Sequence, residues 1–132
     1  LYQESKFVPN AKTPRKYFLG IVPWGRQSSA YGYAQALDGT WDDYKKSSGK
    51  RFASRSNIHD ATDFMGWYMQ ESRRRLGLKM SDTKRQYLAY HEGHLGFERK
   101  SFRKKPWLIN ISDKVARRGN NYKNQLKRCA RI

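Results

Sequence analysis

Thiols, acids and long apolar runs are what this sequence has least of. A single cysteine, Cys129, excludes an internal disulfide and any thiol-based metal cluster. Only three histidines are present, His59, His91 and His94, and the sole carboxylates close to the last two are Glu92 and Glu98. No metal and no cofactor are expected on that basis. No apolar run approaches the roughly 20 residues that span a bilayer, so no transmembrane segment is expected. Acidic residues number 11 against 28 lysines and arginines, which leaves a formal net charge of +17. So strong a charge attracts polyanions, whether nucleic acid, anionic envelope polymers or lipid headgroups, but it sets no fold. The chain opens at Leu1 rather than at a start Met and is expected to be N-terminally incomplete.

What is abundant is aromatic. Four Trp, nine Tyr and six Phe in 132 residues argue against disorder, because disordered chains are poor in rings. That length predicts one domain, 1–132, with a single modest core. Basic residues are scattered or form short clusters such as Arg73-Arg74-Arg75, Arg103-Lys104-Lys105 and Arg117-Arg118.

Local signals predict a mainly α domain. Leu1 to Phe7 reads as the end of a helix, and Pro9, Pro14, Gly20, Pro23 and Gly25 make 8–29 a loop region in which "YFLGIVPW" is a short extended piece or hairpin arm. Asp38 is the expected N-cap of a first full helix that Gly49 stops. Asn57 or Asp60 starts a second, whose stripe of Ile58, Ala61, Phe64, Met65, Tyr68, Met69 and Leu76 faces the core, with Gly77 as its end. Ser81 or Asp82 caps a third that Gly93 ends. Pro106 suits the first turn of a fourth, on which Trp107, Leu108, Ile111, Val115, Tyr122, Leu126 and Cys129 share a face. Gly119, Asn120 and Asn121 weaken its middle, and a kink or break is expected there.

One stretch stands apart from the basic background. "SSAYGYAQALDGTWDDY", residues 28–44, holds no Lys or Arg, but has two glycines, three tyrosines, a Trp and a Gln. Glycines allow close backbone approach, Tyr and Trp stack on sugar or base faces, and a Gln complements an amide such as an N-acetyl group. A sugar-binding groove needs this mixture; an ordinary loop leading into a helix is the plainer alternative.

Three strings occur in order: "QES" at 3–5, "AYGYAQ" at 30–35 and "AYHEG" at 89–93. Together with "FLGIVPWGRQSSAYGYAQALDGTWDDY", "DFMGWYMQESRRRLG", "YLAYHEGH" and "KPWL", they resemble the soluble lytic transglycosylases, and within them a lipoprotein-like branch. The similarity runs from Leu1 to about Cys129. It implies a lysozyme-like fold, lacking its N-terminal helices in this chain, and cleavage of bacterial peptidoglycan. Glu4 then corresponds to the catalytic glutamate and Ser5 to the serine beside it. Gly32 and Gln35 match the ends of the glycine-to-glutamine motif, with Tyr33 and Ala34 in place of the usual Leu-Met, and Tyr31 lies beside them among the expected substrate contacts. Tyr90 matches the tyrosine near the catalytic carboxyl. His91 stands where Asn is more usual and Glu92 where Ala is, and both are expected to contact substrate.

The mechanism that the resemblance implies needs one carboxyl where a glycosidase normally needs two. Glu4 gives its proton to the departing glycosidic oxygen while the muramic acid's N-acetyl group supports the developing positive charge. Glu4 then takes the proton of that sugar's 6-hydroxyl, which attacks the anomeric carbon and closes a 1,6-anhydro ring. Three rival readings stand beside this one: a muramidase that uses water with Glu92 as a second carboxylate, a non-catalytic peptidoglycan binder, and a basic nucleic-acid module. The last is disfavoured because single-strand binders interleave aromatics with Lys and Arg. The expected partners are peptidoglycan glycan strands and anionic envelope polymers, in the bacterial periplasm with an outer-membrane lipoprotein anchor. Cys129 is expected to pair upstream of Leu1 or to be a small buried residue on the last helix.

Overall fold

Asn57 shows how directly local chemistry sets the elements. Its side-chain oxygen accepts from the backbone N–H groups of His59 and Asp60, at 2.9 and 3.1 Å, and so satisfies two donors that a helix start leaves orphaned. Gly77, at φ +68°, ends the same helix, its N–H donating to Arg73 O at 3.0 Å. The computed structural model describes residues 1–12, 15–18, 22–26 and 29–130, and for 15–18 and 22–26 the backbone path only. The expected breaks at Pro14 and Gly20 lie outside the described residues.

The elements run α1 (Tyr2–Ser5), β1 (Arg15–Phe18), β2 (Val22–Arg26), α2 (Asp38–Ser48), α3 (Ile58–Leu76), α4 (Thr83–Glu98), a 3-10 turn (Ser101–Lys104) and α5 (Pro106–Cys129). The chain is mainly helical, as the periodicities predict. Inside the expected loop region lies an antiparallel hairpin: Lys16 pairs with Gly25 and Tyr17 with Pro23, so Trp24 is an extra residue that bulges β2. A bulge is also a position that tolerates a strand proline.

Two helix boundaries and one helix interior differ from expectation. The N-cap of α2 is Leu37, not Asp38, because the Asp38 N–H is satisfied by the Ser29 hydroxyl at 3.1 Å and the Asp38 carboxylate is engaged with Arg55. Gly93 (φ +76°, ψ 164°) breaks α4 but does not end it; helical residues resume and reach Glu98. The 24-residue α5 passes through Gly119-Asn120-Asn121 without interruption. A Cβ on Gly119 would lie 3.4 Å from the Thr83 side chain, so the small residue lets α5 run close to the start of α4.

The described chain divides into two compact units, Leu1–Trp67 and Tyr68–Ile132, with the division inside α3. In the first, Trp41, Tyr44, Ala61 and Phe64 are buried, and the Trp41, Tyr44 and Phe64 rings meet at 5.0 to 5.5 Å between centroids. Ring pairs in such tilted or edge-on geometry each contribute about 0.5–1.5 kcal/mol beyond their buried area. The Tyr44 hydroxyl is held above the usual tyrosine range by burial and by its 2.6 Å bond to Asp63. Hydrogen bonds from Lys50 and Tyr44 hold the Asp63 carboxyl below its ordinary range.

The second unit buries Tyr68, Leu78, Leu88, Ala89 and Leu108. Gln86, also buried, donates to the carbonyls of Met69 and Lys79 at 3.3 and 3.4 Å, and a 2.8 Å ion pair joins Lys84 on α4 to Asp113 on α5. The shared face expected on α5 is only partly a core face: Leu108 is buried, whereas Trp107, Tyr122, Leu126 and Cys129 are exposed. Cys129 is therefore not the small buried residue that one reading proposed. No helix among the described residues is long and apolar enough to cross a membrane.

Candidate active site

In the first unit the N-terminal turn is tied to the glycine-glutamine turn. The buried Ser5 hydroxyl donates to Tyr33 O at 2.7 Å. Immediately after it, Lys6 and Phe7 adopt left-handed backbone, φ 51° and 63°, and Val8 N–H returns to Ser5 O at 3.0 Å. Two consecutive non-glycine residues in that region cost on the order of 1–2 kcal/mol each, strain that the surrounding contacts must hold. Glu4 sits on this turn, half-buried. Its Oε1 is out of reach of water and has no hydrogen-bond partner among the described residues. An oxygen left in that state costs free energy.

The facing turn is built from Tyr31 to Ala36. Tyr31 N–H donates to Ala36 O at 3.2 Å, and Gly32 N–H donates to Ala11 O at 3.0 Å. Gly32 takes φ +82°, and a Cβ there would collide with the Arg55 carbonyl oxygen. Only glycine meets both conditions. Gln35, at φ 52°, donates through its amide nitrogen to Ala11 O and Gly32 O, each at 2.9 Å. Both amide protons are thereby used, so Gln35 locks the turn and can offer a substrate only its amide oxygen.

Arg55 is the residue of this site that sequence reasoning missed. Its Nη1 lies 3.1 Å from Ser29 O, 3.0 Å from Ala36 O and 2.7 Å from the Asp38 carboxylate. Its carbonyl accepts from Tyr33 N–H at 3.2 Å, and its guanidinium lies 5.1 Å from the centre of the Tyr31 ring. Lys12 approaches the same ring at 5.8 Å. The stretch from 28 to 44 lacks basic residues of its own, yet two cations from outside it attend Tyr31. Nothing in the local pattern "ASRSN" marks Arg55, because its partners lie 17 to 26 residues away.

The later string falls in the second unit. Tyr90 packs edge-on against Tyr68, ring centroids 5.0 Å apart. His91 meets Trp107 edge-on at 5.6 Å and Tyr87 at 6.4 Å. The Glu92 side chain is only 7% exposed; its Oε2 accepts from Lys105 Nζ at 2.9 Å and lies 3.7 Å from His91 Nδ1. Its Oε1 is buried without a hydrogen-bond partner among the described residues. His94 stacks on Tyr68 at 4.6 Å, and its Nε2 shares a 3.0 Å hydrogen bond with the fully buried Ser72 hydroxyl. Burial, then the Arg75 charge, push the His94 imidazole below its ordinary pKa. Burial likewise pushes the Tyr68 hydroxyl up to about 12. Ser72 and His94 are not a nucleophile pair, since the serine is closed to substrate and the other ring nitrogen faces Arg75 at 3.5 Å rather than a carboxylate.

Of the expected site residues, Glu4, Ser5, Tyr31, Gly32, Tyr33 and Gln35 belong to the first unit, where hydrogen bonds join their two turns; Tyr90, His91 and Glu92 belong to the second. Among the described residues no three His, Cys, Asp or Glu side chains are grouped to hold a metal ion. A family model described as transglycosylase SLT domain matches residues 1–129. Neither the curated proteins nor the solved structures yield a match.

Proposed function

Because the chain belongs to the transglycosylase SLT domain family, whose members act on peptidoglycan, we propose that it is a lytic transglycosylase with Glu4 as its single acid and base. It cleaves the β-1,4 bond between N-acetylmuramic acid and N-acetylglucosamine. Protonated Glu4 donates to the leaving oxygen, the C1–O4 bond breaks, and the substrate's acetamido group supports the positive charge. Glu4 carboxylate then accepts the proton of the muramic 6-hydroxyl, whose oxygen bonds to C1 and leaves a 1,6-anhydro end. No water is consumed.

The observation that most supports this reading is the Ser5–Tyr33 hydrogen bond. It fixes the turn bearing Glu4 against the glycine-glutamine turn, and positional restraint of that kind is what a general acid needs. A water-using muramidase requires a second available carboxylate. Glu92, the candidate for it, is engaged with Lys105 at 2.9 Å and is given no step. Tyr31, Tyr33, Tyr90 and His91 are assigned to substrate contact, Ser5, Gly32 and Gln35 to holding the site. Such a substrate places the work of the protein in the bacterial envelope, on the periplasmic side, and a lipid anchor to the outer membrane belongs to the same proposal.

Digestion of purified peptidoglycan, with products identified by mass, tests the reading. Anhydro-muropeptides are the expected result for the wild type, and their loss in a folded Glu4→Gln variant. Reducing ends in place of anhydro ends, or undiminished release by Glu4→Gln, would overturn it.

A further inference from the structure

Among the described residues no large apolar side chain stands as far into solvent as Phe52, which is 97% exposed; Leu126, the next, is 70% exposed. Single apolar residues on a surface are ordinary, and on a loose loop the ring would call for no account. The turn that carries Phe52 is not loose. Ala53 N–H closes back on Lys50 O at 3.2 Å, and Arg51 N–H on Gly49 O at 3.1 Å. Just downstream, Ser54 N–H donates to the Asp60 carboxylate at 2.9 Å and Asn57 N–H to Ser54 O at 3.1 Å. Bonded on both sides, the backbone in the first unit holds the ring outward, where it gains nothing from burial.

Cations surround this tip. Lys50 is held to Asp63 at 2.7 Å and Lys45 to Asp42 at 3.5 Å. Lys46 and Arg51, both exposed, are joined to no acid among the described residues. With Asp42 and Lys45 they line an open hollow of about 270 Å³, whose wall of three cations and one acid is net positive. An apolar tip flanked by cations fits an anionic phospholipid surface, where headgroup phosphates meet the charges and the ring passes into the acyl boundary. The formal net charge of +17 adds a long-range attraction to such a surface. Other occupants fit less well. Single-stranded nucleic acid stacks on a succession of rings, and Phe52 is the only Phe, Tyr or Trp between Tyr44 and Phe64. A second copy of the chain would bring an equally positive face and repel.

We propose that the turn from Lys50 to Ala53 is a membrane-docking tip for anionic phospholipid. Phe52 inserts at the acyl boundary, and Lys46 and Arg51 bind headgroup phosphates across the hollow. The tip depends on no step of the peptidoglycan chemistry above.

Flotation of the 132-residue chain with vesicles of phosphatidylglycerol and phosphatidylcholine in equal parts tests it. Phe52→Ser is expected to lower the partition coefficient about tenfold, while Phe52→Leu retains most of it. Removing charge at the hollow, by Lys46→Gln with Arg51→Gln, is expected to weaken partition more than removing the same charge on α5, by Lys123→Gln with Arg128→Gln. A merely uniform attraction would treat both pairs alike. In Phe52→Trp the added indole emission is expected to be quenched by bromines carried on the acyl chains. Unchanged partition of Phe52→Ser, equal losses from the two charge pairs, or an unquenched indole overturns the proposal. So does a single-stranded oligonucleotide whose binding falls more steeply than that of the vesicles in Phe52→Ser. Purified peptidoglycan contains no bilayer, so its digestion is expected to be unaffected by Phe52→Ser; a loss there would make Phe52 a substrate contact and overturn the docking tip.

Discussion

Ser5 and Tyr33 lie 28 residues apart in sequence, yet the hydroxyl of one donates to the carbonyl of the other at 2.7 Å. That bond joins the turn carrying Glu4 to the turn carrying Gly32 and Gln35. It accounts for a serine directly after the glutamate: a small donor fits at a buried position where a longer side chain would push the turns apart.

Ser5→Ala removes the donor and leaves the Tyr33 carbonyl unsatisfied. The expected cost is about 1–3 kcal/mol of unfolding free energy in urea titration. Displacement of Glu4 is expected to lower the rate of peptidoglycan cleavage by on the order of tenfold to hundredfold. Unchanged stability together with unchanged rate would show that the two turns are held by other contacts.

Gly32→Ala meets two obstacles, left-handed backbone at φ +82° and a collision of the new Cβ with the Arg55 carbonyl. At Gly77, φ +68°, nothing lies within 4 Å of the added atom. Denaturation midpoints of the two variants separate these effects. Gly77→Ala is expected to cost about 1–2 kcal/mol, Gly32→Ala at least about 1 kcal/mol more. Equal costs would mean that the segment around Arg55 yields freely.

Arg55→Met keeps the aliphatic stem and removes the charge that gathers Ser29 O, Ala36 O and Asp38. A single guanidinium serving several acceptors is not replaced by any other side chain. Arg55 touches the turn and not the bond to be broken, so it acts as a positioning residue. The turnover rate should fall about tenfold with little change in the apparent KM, and exchange of the Tyr33 amide proton should accelerate. A change confined to KM would assign Arg55 to substrate contact instead.

His94 makes stability depend on pH in a defined direction. Burial and the Arg75 charge disfavour its protonated form in the fold, whereas the unfolded chain binds that proton near the ordinary value of about 6.5. Below that value the unfolded state takes up more protons, so stability falls as pH drops from about 7 through the depressed folded value. Asp63 and Glu71, held low by Lys50 and by Arg74, add their losses mainly below about pH 5. Unfolding free energies measured at pH 7 and pH 5 should therefore differ in the wild type and converge in His94→Gln, whose neutral amide can still reach Ser72. A wild type equally stable at both values would contradict the assignment.

Much of this was readable from local patterns. The stripe on α3 delivered Ala61, Phe64 and Tyr68 to buried positions, Asp82 caps α4 by accepting from Arg85 N–H at 3.1 Å, and Pro106 opens α5. What escaped were partnerships between distant residues. Asp38 carries every mark of an N-cap, but its carboxylate is drawn to Arg55, and a serine nine residues earlier caps its N–H instead. Gly119 looked like a helix breaker, whereas close passage beside Thr83 makes its missing side chain an advantage. Trp107 fits an apolar stripe, yet it stands half in solvent because the shared face of α5 extends beyond what the second unit covers.

Composition and periodicity were enough to determine a mainly helical, strongly basic chain, because each depends on residues close together in sequence or on their bare sum. Which polar atoms find partners was decided only in three dimensions. Ser5 with Tyr33, Arg55 with Ala36 and Lys105 with Glu92 are matched by distance in space, and a hydrogen bond or ion pair loses its worth within an ångström or two of its optimum.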